Sequence, residues 1–126
     1  MRQSGVTSAI MTFARVIDFA PLERLLSLAG PKGAPAIFAA LLDDLKTTQA
    51  QLDQARNGPD FAALRTNSHV LVALAGTVGD TTLHGLAQQL NDDARAQKLS
   101  DTVNITEEIM TALSNLISQL QTKAGA

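Results

Sequence analysis

Apolar residues recur at helical spacing through most of this chain, in stripes separated by breaks of only a few residues. Residues three and four positions apart lie on one face of a helix, whereas the period-two alternation of a half-buried strand is missing. Glycine and proline mark the breaks, at Gly30–Pro31, Gly58–Pro59 and Gly79. Helices joined by such short connections pack as antiparallel neighbours. The sequence therefore predicts an all-α fold, an antiparallel up-and-down four-helix bundle.

The bundle is predicted over residues 18–122, with the two ends of the chain outside it. Ile10 and Phe13 have the spacing of a short helix, and an arm docked loosely on the bundle would accommodate them equally well. Residues 1–17 are therefore interpreted as either an N-terminal arm or an extra short helix. Residues 123–126 are expected to fray.

The composition favours a helical core and argues against several function classes. The chain of 126 residues suffices for one domain, and with 3% aromatic residues its core must consist largely of Ala and Leu. The lack of cysteine excludes disulfides and thiolate metal sites, and a net charge of −2 without a basic cluster argues against a nucleic-acid partner. No signal peptide is recognisable, and no uncharged window is long enough to span a bilayer. We therefore expect a cytoplasmic protein with no membrane partner.

The stretch from Thr66 to Gly79 contains no Asp, Glu, Lys or Arg, and His69 is its one titratable side chain. We predict a helix from about Phe61 to Val78, capped by Asp60. His69 lies roughly 100° round the helix from the predicted core face, at the angular step of one residue. That core face is formed by Phe61, Leu64, Ser68, Leu71, Ala75 and Val78.

The face that carries His69 also carries Arg65, Val72, Ala73 and Gly76, and it has no charge after Arg65. Because a solvated helix face normally carries charges, either another helix or a partner protein must cover this one. Ala73 and Gly76 remove bulk beside the histidine and leave room for an incoming surface. Without those neighbours, a lone histidine in an apolar helix would more often be a packing residue.

If the chain folds back at Gly79, two residues of the next helix are candidates to lie near His69. His84 then lies about 10 Å along the axis from His69, at roughly 1.5 Å per residue, and no carboxylates complete a metal site. Asn91 lies level with His69, so its amide oxygen can accept from Nδ1–H and leave Nε2 free as a nucleophile. The sequence therefore favours Asn91 as the residue that orients the imidazole, and it predicts no metal site.

The run His69–Gly79 and the helix after it resemble the histidine-phosphotransfer (HPt) domain. That family has the pattern His-x-Leu-Lys-Gly, then small residues, then an aliphatic residue and glycine at the tenth position after the histidine. Leu71, Val78 and Gly79 match this pattern at their places. The following helix adds Leu83, Leu86, Ala87, Leu90 and Asn91.

The resemblance implies a four-helix bundle with His69 as an exposed phosphoacceptor and a polar residue at Asn91 that bonds to it. HPt domains carry a phosphoryl group between aspartates of response-regulator receiver domains, or from a hybrid sensor histidine kinase. They are stoichiometric carriers rather than turnover enzymes, and they bring no cofactor of their own because the receiver supplies Mg²⁺. We correspondingly expect a monomer that binds its partners through Val72, Ala73 and Gly76.

This chain departs from the family pattern at two positions. Val72 stands where the family has lysine, and Ala73 stands where it has glycine. Lysine would help to neutralise the phosphoryl group, so we hypothesise that Arg65 supplies this charge from one turn earlier. The alternative function is a phosphorylation-independent helical interaction module, a degenerate HPt fold in which the lost lysine does no harm.

Overall fold

A computed structural model describes residues 15–125 of the chain. Four helices account for most of them: α1 (Ala20–Ala55), α2 (Phe61–Val78), α3 (Thr81–Arg95) and α4 (Leu99–Gly125). No strand occurs among these residues, so the predicted all-α class is confirmed. The extra helix or arm considered for the N-terminus falls largely on residues 1–14, which lie outside the described part.

Helix α1 is continuous in outline but broken at Gly30, where φ is 78° and ψ is 173°. Two separate helices were expected here, ending and restarting around Gly30–Pro31. The break is confined to the single residue before Pro31, because the proline ring disfavours helical geometry in its predecessor and glycine tolerates positive φ. A second proline, Pro35, lies inside the helix without a further break.

The helices pack as a bundle in which α1 contacts α2 and α4, and α3 contacts α2 and α4. Side chains pair α1 with α4 in reverse sequence order, so these two helices run in opposite directions. The pairs are Glu23 with Lys123, Gln49 with Ser114, and Arg56 with Glu107.

The core lies between the four helices and is built almost entirely from aliphatic side chains. Leucine dominates it, in agreement with the low aromatic content. The predicted core face of α2 is confirmed, with Phe61 half-buried and the others fully buried. The largest fully buried side chains are Leu22, Leu45, Leu52, Leu64, Leu71, Leu83, Leu90, Ile109, Leu113, Leu116 and Leu120.

Specific contacts define the helix ends. Asp80 caps α3 by accepting a hydrogen bond from the backbone of Leu83, and Thr81 and Thr82 lie inside the helix. Helix α4 begins at Leu99. Its last turn, expected to fray from residue 123, is helical to Gly125. Lys123 at this end pairs with Glu23 of α1, which anchors the last turn.

Helix α1 is long and apolar enough to cross a membrane by length and composition alone. Core helices of other proteins pass the same test, and this one buries Leu22, Leu45 and Leu52 in the bundle. Between Leu22 and Leu45, however, no side chain of α1 is fully buried. The apolar character of α1 therefore reflects a surface that the described residues cover only in part.

Gly79 ends α2 in the left-handed conformation, with φ at 94°. A Cβ at this residue would lie 2.2 Å from the carbonyl oxygen of Asp18 and 2.9 Å from Cδ of Pro21. We therefore expect Gly79→Ala to destabilise the fold by about 2 kcal/mol, through strain and a clash with backbone. Gly85→Ala is the matched control, because apart from its chain neighbours and its own helix backbone nothing lies within 4 Å of its Cβ position.

Urea unfolding followed by circular dichroism measures both glycine variants. Gly85→Ala should leave stability unchanged or raise it by about 0.5–1 kcal/mol, since alanine favours a helix interior. Equal stability of the two variants would mean that Asp18 and Pro21 do not pack closely against Gly79.

Candidate functional site

His69 is exposed on the outer surface of α2, one residue beyond the buried Ser68. Asp60 fixes the start of this helix, because its carboxylate accepts a hydrogen bond from the backbone of Ala63 at 3.0 Å. Within residues 15–125 the ring nitrogens of His69 make no hydrogen bond. The structure therefore presents an imidazole whose two nitrogens are both open to solvent or to a partner.

Asn91 lies beside His69, as predicted from folding the chain back at Gly79. Its side-chain amide, however, forms hydrogen bonds with other groups. Its Nδ2 donates to the carbonyl oxygen of Arg65 at 3.1 Å and to Oγ of Ser68 at 3.2 Å. Its Oδ1 accepts from Nη2 of Arg95 at 2.8 Å. The expected hydrogen bond to the imidazole is not formed, because Asn91 faces the seam between the helices where Ser68 lies, and His69 points away from that seam.

A shallow depression runs from the imidazole across the surface of α2 and α3. It brings together two arginines, Arg65 from α2 and Arg95 from α3, with His69 of α2. Guanidinium groups in such a position can bind a phosphoryl or carboxylate group through several N–H donors. The depression is lined by Arg65, Thr66, His69, Val70, Asn91 and Arg95.

Arg95 is a site residue that the sequence analysis missed. The signal was present, because Arg95 follows Asn91 by four positions and therefore lies on the same face of α3. The hydrogen bond from Arg95 to the Asn91 side chain holds the guanidinium against α3, at the depression that His69 also lines. Arg65, which the sequence did single out, is exposed at the same depression.

The other side of His69 has a different character. A second depression there is lined by Val72, Gln88, Asn91 and Asp92 together with the histidine. Asp92 is exposed, so this depression carries a carboxylate where the first carries two arginines. An anionic ligand is expected on the arginine side of the ring.

The three predicted docking residues differ in their exposure to solvent. Ala73 and Gly76 are exposed on the surface of α2, and Val72 is half-buried against the core. A Cβ on Gly76 would lie 3.7 Å from Cδ2 of His84, which is ordinary contact. Packing within the described residues therefore does not require glycine at this position, and the bare surface next to His69 consists mainly of Ala73, Gly76 and the exposed Val70.

No three His, Asp or Glu side chains of the described residues gather into a group that could hold a metal ion. His84, the other histidine, is half-buried beside Gly76 in a depression at the α2–α3 turn.

No family model, no curated protein and no solved structure matches this chain. The resemblance to HPt domains therefore rests on the residue pattern around His69.

Proposed function

We propose that this protein is a histidine phosphotransfer protein of a two-component phosphorelay, and that His69 is its phosphoacceptor. The observation that carries the proposal is the exposed imidazole of His69, free of hydrogen bonds within residues 15–125 and flanked by Arg65 and Arg95. An accessible neutral imidazole is a nucleophile, and two guanidinium groups can stabilise the anion that it takes up.

The proposed fold is that of an HPt domain over residues 18–122, with the helices in up-and-down order. Support comes from the four-helix bundle and from the opposite directions of α1 and α4. In this arrangement the exposed surface of α2 and α3 is the docking face for the receiver domain. Ala73, Gly76 and Val70 form its apolar part, and their small or aliphatic side chains allow close approach.

The proposed reaction is a reversible transfer between this histidine and an aspartate of the receiver. A ring nitrogen of His69 attacks the phosphorus of the aspartyl phosphate, and the P–O bond to the aspartate breaks as the N–P bond forms. The receiver's carboxylate is the leaving group, and the Mg²⁺ that assists the step belongs to the receiver. Positioning and electrostatic stabilisation then supply most of the rate, as in other phosphoryl transfers.

Arg65 and Arg95 take over, in this proposal, the electrostatic role of the family lysine that Val72 replaces. The two arginines come from two helices and line one depression together with His69. The hydrogen bond from Arg95 to Asn91 gives Asn91 a role in positioning this arginine, in place of the role first expected in orienting the imidazole.

A phosphorylation-independent interaction module is the second candidate. One observation favours it: Val72 is half-buried against the core, so the position of the family lysine serves packing in this chain. Such a module would bind its partner through the same face of α2 and α3, and His69 would be dispensable for binding.

We expect Arg95→Ala and Arg65→Ala each to slow phosphoryl transfer about fivefold, corresponding to roughly 1 kcal/mol for an exposed charge-assisted contact. Single-turnover transfer from a phosphorylated receiver domain measures this rate. Arg24→Ala is the matched control, because Arg24 is exposed on α1 and does not line the depression. Transfer at the wild-type rate in both site variants would remove the arginines from the proposal.

A further inference from the structure

Helix α1 is apolar on all sides between Lys32 and Asp43. Residues 33–42 carry no charged or hydrogen-bonding side chain. A helix that is apolar all round is normally buried, yet none of these residues is fully buried in the described part of the chain. The inner side of this stretch packs half-buried against the core, and the opposite side, with Ala36 and Ala39, is exposed. The outward side of α1 therefore lacks the neighbour that its composition requires.

This outward side has opposite charges at its two ends. An exposed row along the helix, which we call the outer row of α1, consists at steps of four and three of Lys32, Ala36, Ala39 and Asp43. Within residues 15–125 neither Lys32 nor Asp43 has an ion-pair partner. The outer row therefore has an apolar centre, with a cation at one end and a carboxylate at the other, both available for pairing.

A second copy of the chain complements the outer row when the two α1 helices run antiparallel. A two-fold axis that passes between Ile37 and Phe38 places Lys32 level with Asp43 of the second copy. A two-fold axis repeats every contact, so this ion pair forms at both ends of the row. Between the two pairs, Ala36 lies level with Ala39 of the second copy, and such small side chains let the helices approach closely.

A membrane fits this surface less well than a second copy. Residues 33–42 extend about 15 Å at 1.5 Å per residue, which is half the thickness of the hydrocarbon core. A helix that lies on a membrane surface has a polar face rich in Lys and Arg. Lys32, by contrast, is the only basic residue between Arg24 and Lys46. The opposite charges at the two ends of the row favour a protein surface with the same two charges in reverse order.

We propose that this protein forms a homodimer through the outer row of α1, with the two α1 helices antiparallel, in place of the monomer that the HPt resemblance implies. The contact is short, so the dimer dissociates on dilution. The outer row shares no residue with the depression at His69, which lies on α2 and α3. Both copies therefore keep that depression open, and the inference is independent of the proposed function.

Sedimentation equilibrium of the full-length chain over a series of concentrations measures association. The average mass should rise from 13.3 kDa toward twice this value as the concentration increases. Lys32→Glu and Asp43→Lys should each weaken association about tenfold, because each places like charges opposite one another at both ends of the row. Lys98→Glu is the matched control, since it reverses an exposed charge between α3 and α4 and should associate like wild type.

Mixing the two charge variants tests the antiparallel pairing. A dimer of one Lys32→Glu chain and one Asp43→Lys chain has opposite charges at both ends, so the mixture should associate about as tightly as wild type. Circular dichroism checks that every variant is folded. A wild-type chain that stays at 13.3 kDa up to about 1 mM would overturn the proposal. Charge variants that associate like wild type, or a mixture no tighter than either variant alone, would also overturn it.

Discussion

His69→Gln is expected to abolish phosphoryl labelling of this protein by a phosphorylated receiver domain. Glutamine keeps a polar side chain of moderate length at this exposed position but has no nucleophilic ring nitrogen. Because His69 is exposed and makes no hydrogen bond within residues 15–125, its replacement should leave the stability of the bundle within about 0.5 kcal/mol of wild type. Loss of label with an unchanged unfolding curve therefore separates a chemical role from a structural one.

His84→Gln is the matched control for this experiment, because the chain has two histidines. His84 is half-buried next to Gly76, outside the arginine depression. It should accept no phosphoryl group, and the variant should label like wild type. Label that persists in His69→Gln and disappears in His84→Gln would move the phosphoacceptor to the α2–α3 turn and contradict the proposed site.

Arg15→Met is expected to lower the free energy of unfolding by about 3 kcal/mol, because it removes one partner of a buried ion pair. Asp80 is 1% exposed, and its Oδ1 accepts from both Arg15 and the backbone of Leu83. Its Oδ2 has no hydrogen-bond partner among the described residues. Without Arg15 the buried carboxylate would keep a single donor, and the link to the carbonyl of Ala112 would be lost as well.

Thermal unfolding measures this effect, and the melting temperature should fall by roughly 10 °C. Arg56→Met is the matched control: Arg56 likewise bonds two groups, here the carboxylates of Asp53 and Glu107, but these side chains are 53% and 62% exposed. Exposed pairs contribute little, so this variant should lose less than about 1 kcal/mol. Similar losses of stability in both variants would mean that the Arg15–Asp80 pair contributes no more to stability than an exposed ion pair.

The helices and the core face of α2 were predictable because they follow from short-range patterns. The stripe from Phe61 to Val78 and the cap at Asp60 give the observed bounds of α2, and each depends on residues within a turn or two. The cap of α3 has no unique local signal, because Asp80, Thr81 and Thr82 are all good cap residues and the ion pair with Arg15, which favours Asp80, is a long-range contact.

The parts of the site that sequence did not predict depend on long-range packing. The position of Asn91 along the helix axis, opposite His69, followed from the number of residues on each side of the α2–α3 turn. Whether Asn91 bonds to Ser68 or to His69 depends on the rotation of α3 about its own axis. Periodicity does not fix that rotation. The contact of Arg15 with Asp80 spans 65 positions of sequence and has no local signal.

Transfer of a phosphoryl group to the wild-type protein decides whether His69 is a phosphoacceptor. The protein is mixed with phosphorylated receiver domains from the same organism, and the label is located by mass spectrometry. We expect one acid-labile, base-stable phosphoryl group per chain, on His69. A folded helical protein that takes no label from any of the receivers would rule out the phosphorelay function and leave phosphorylation-independent binding as the function of this face.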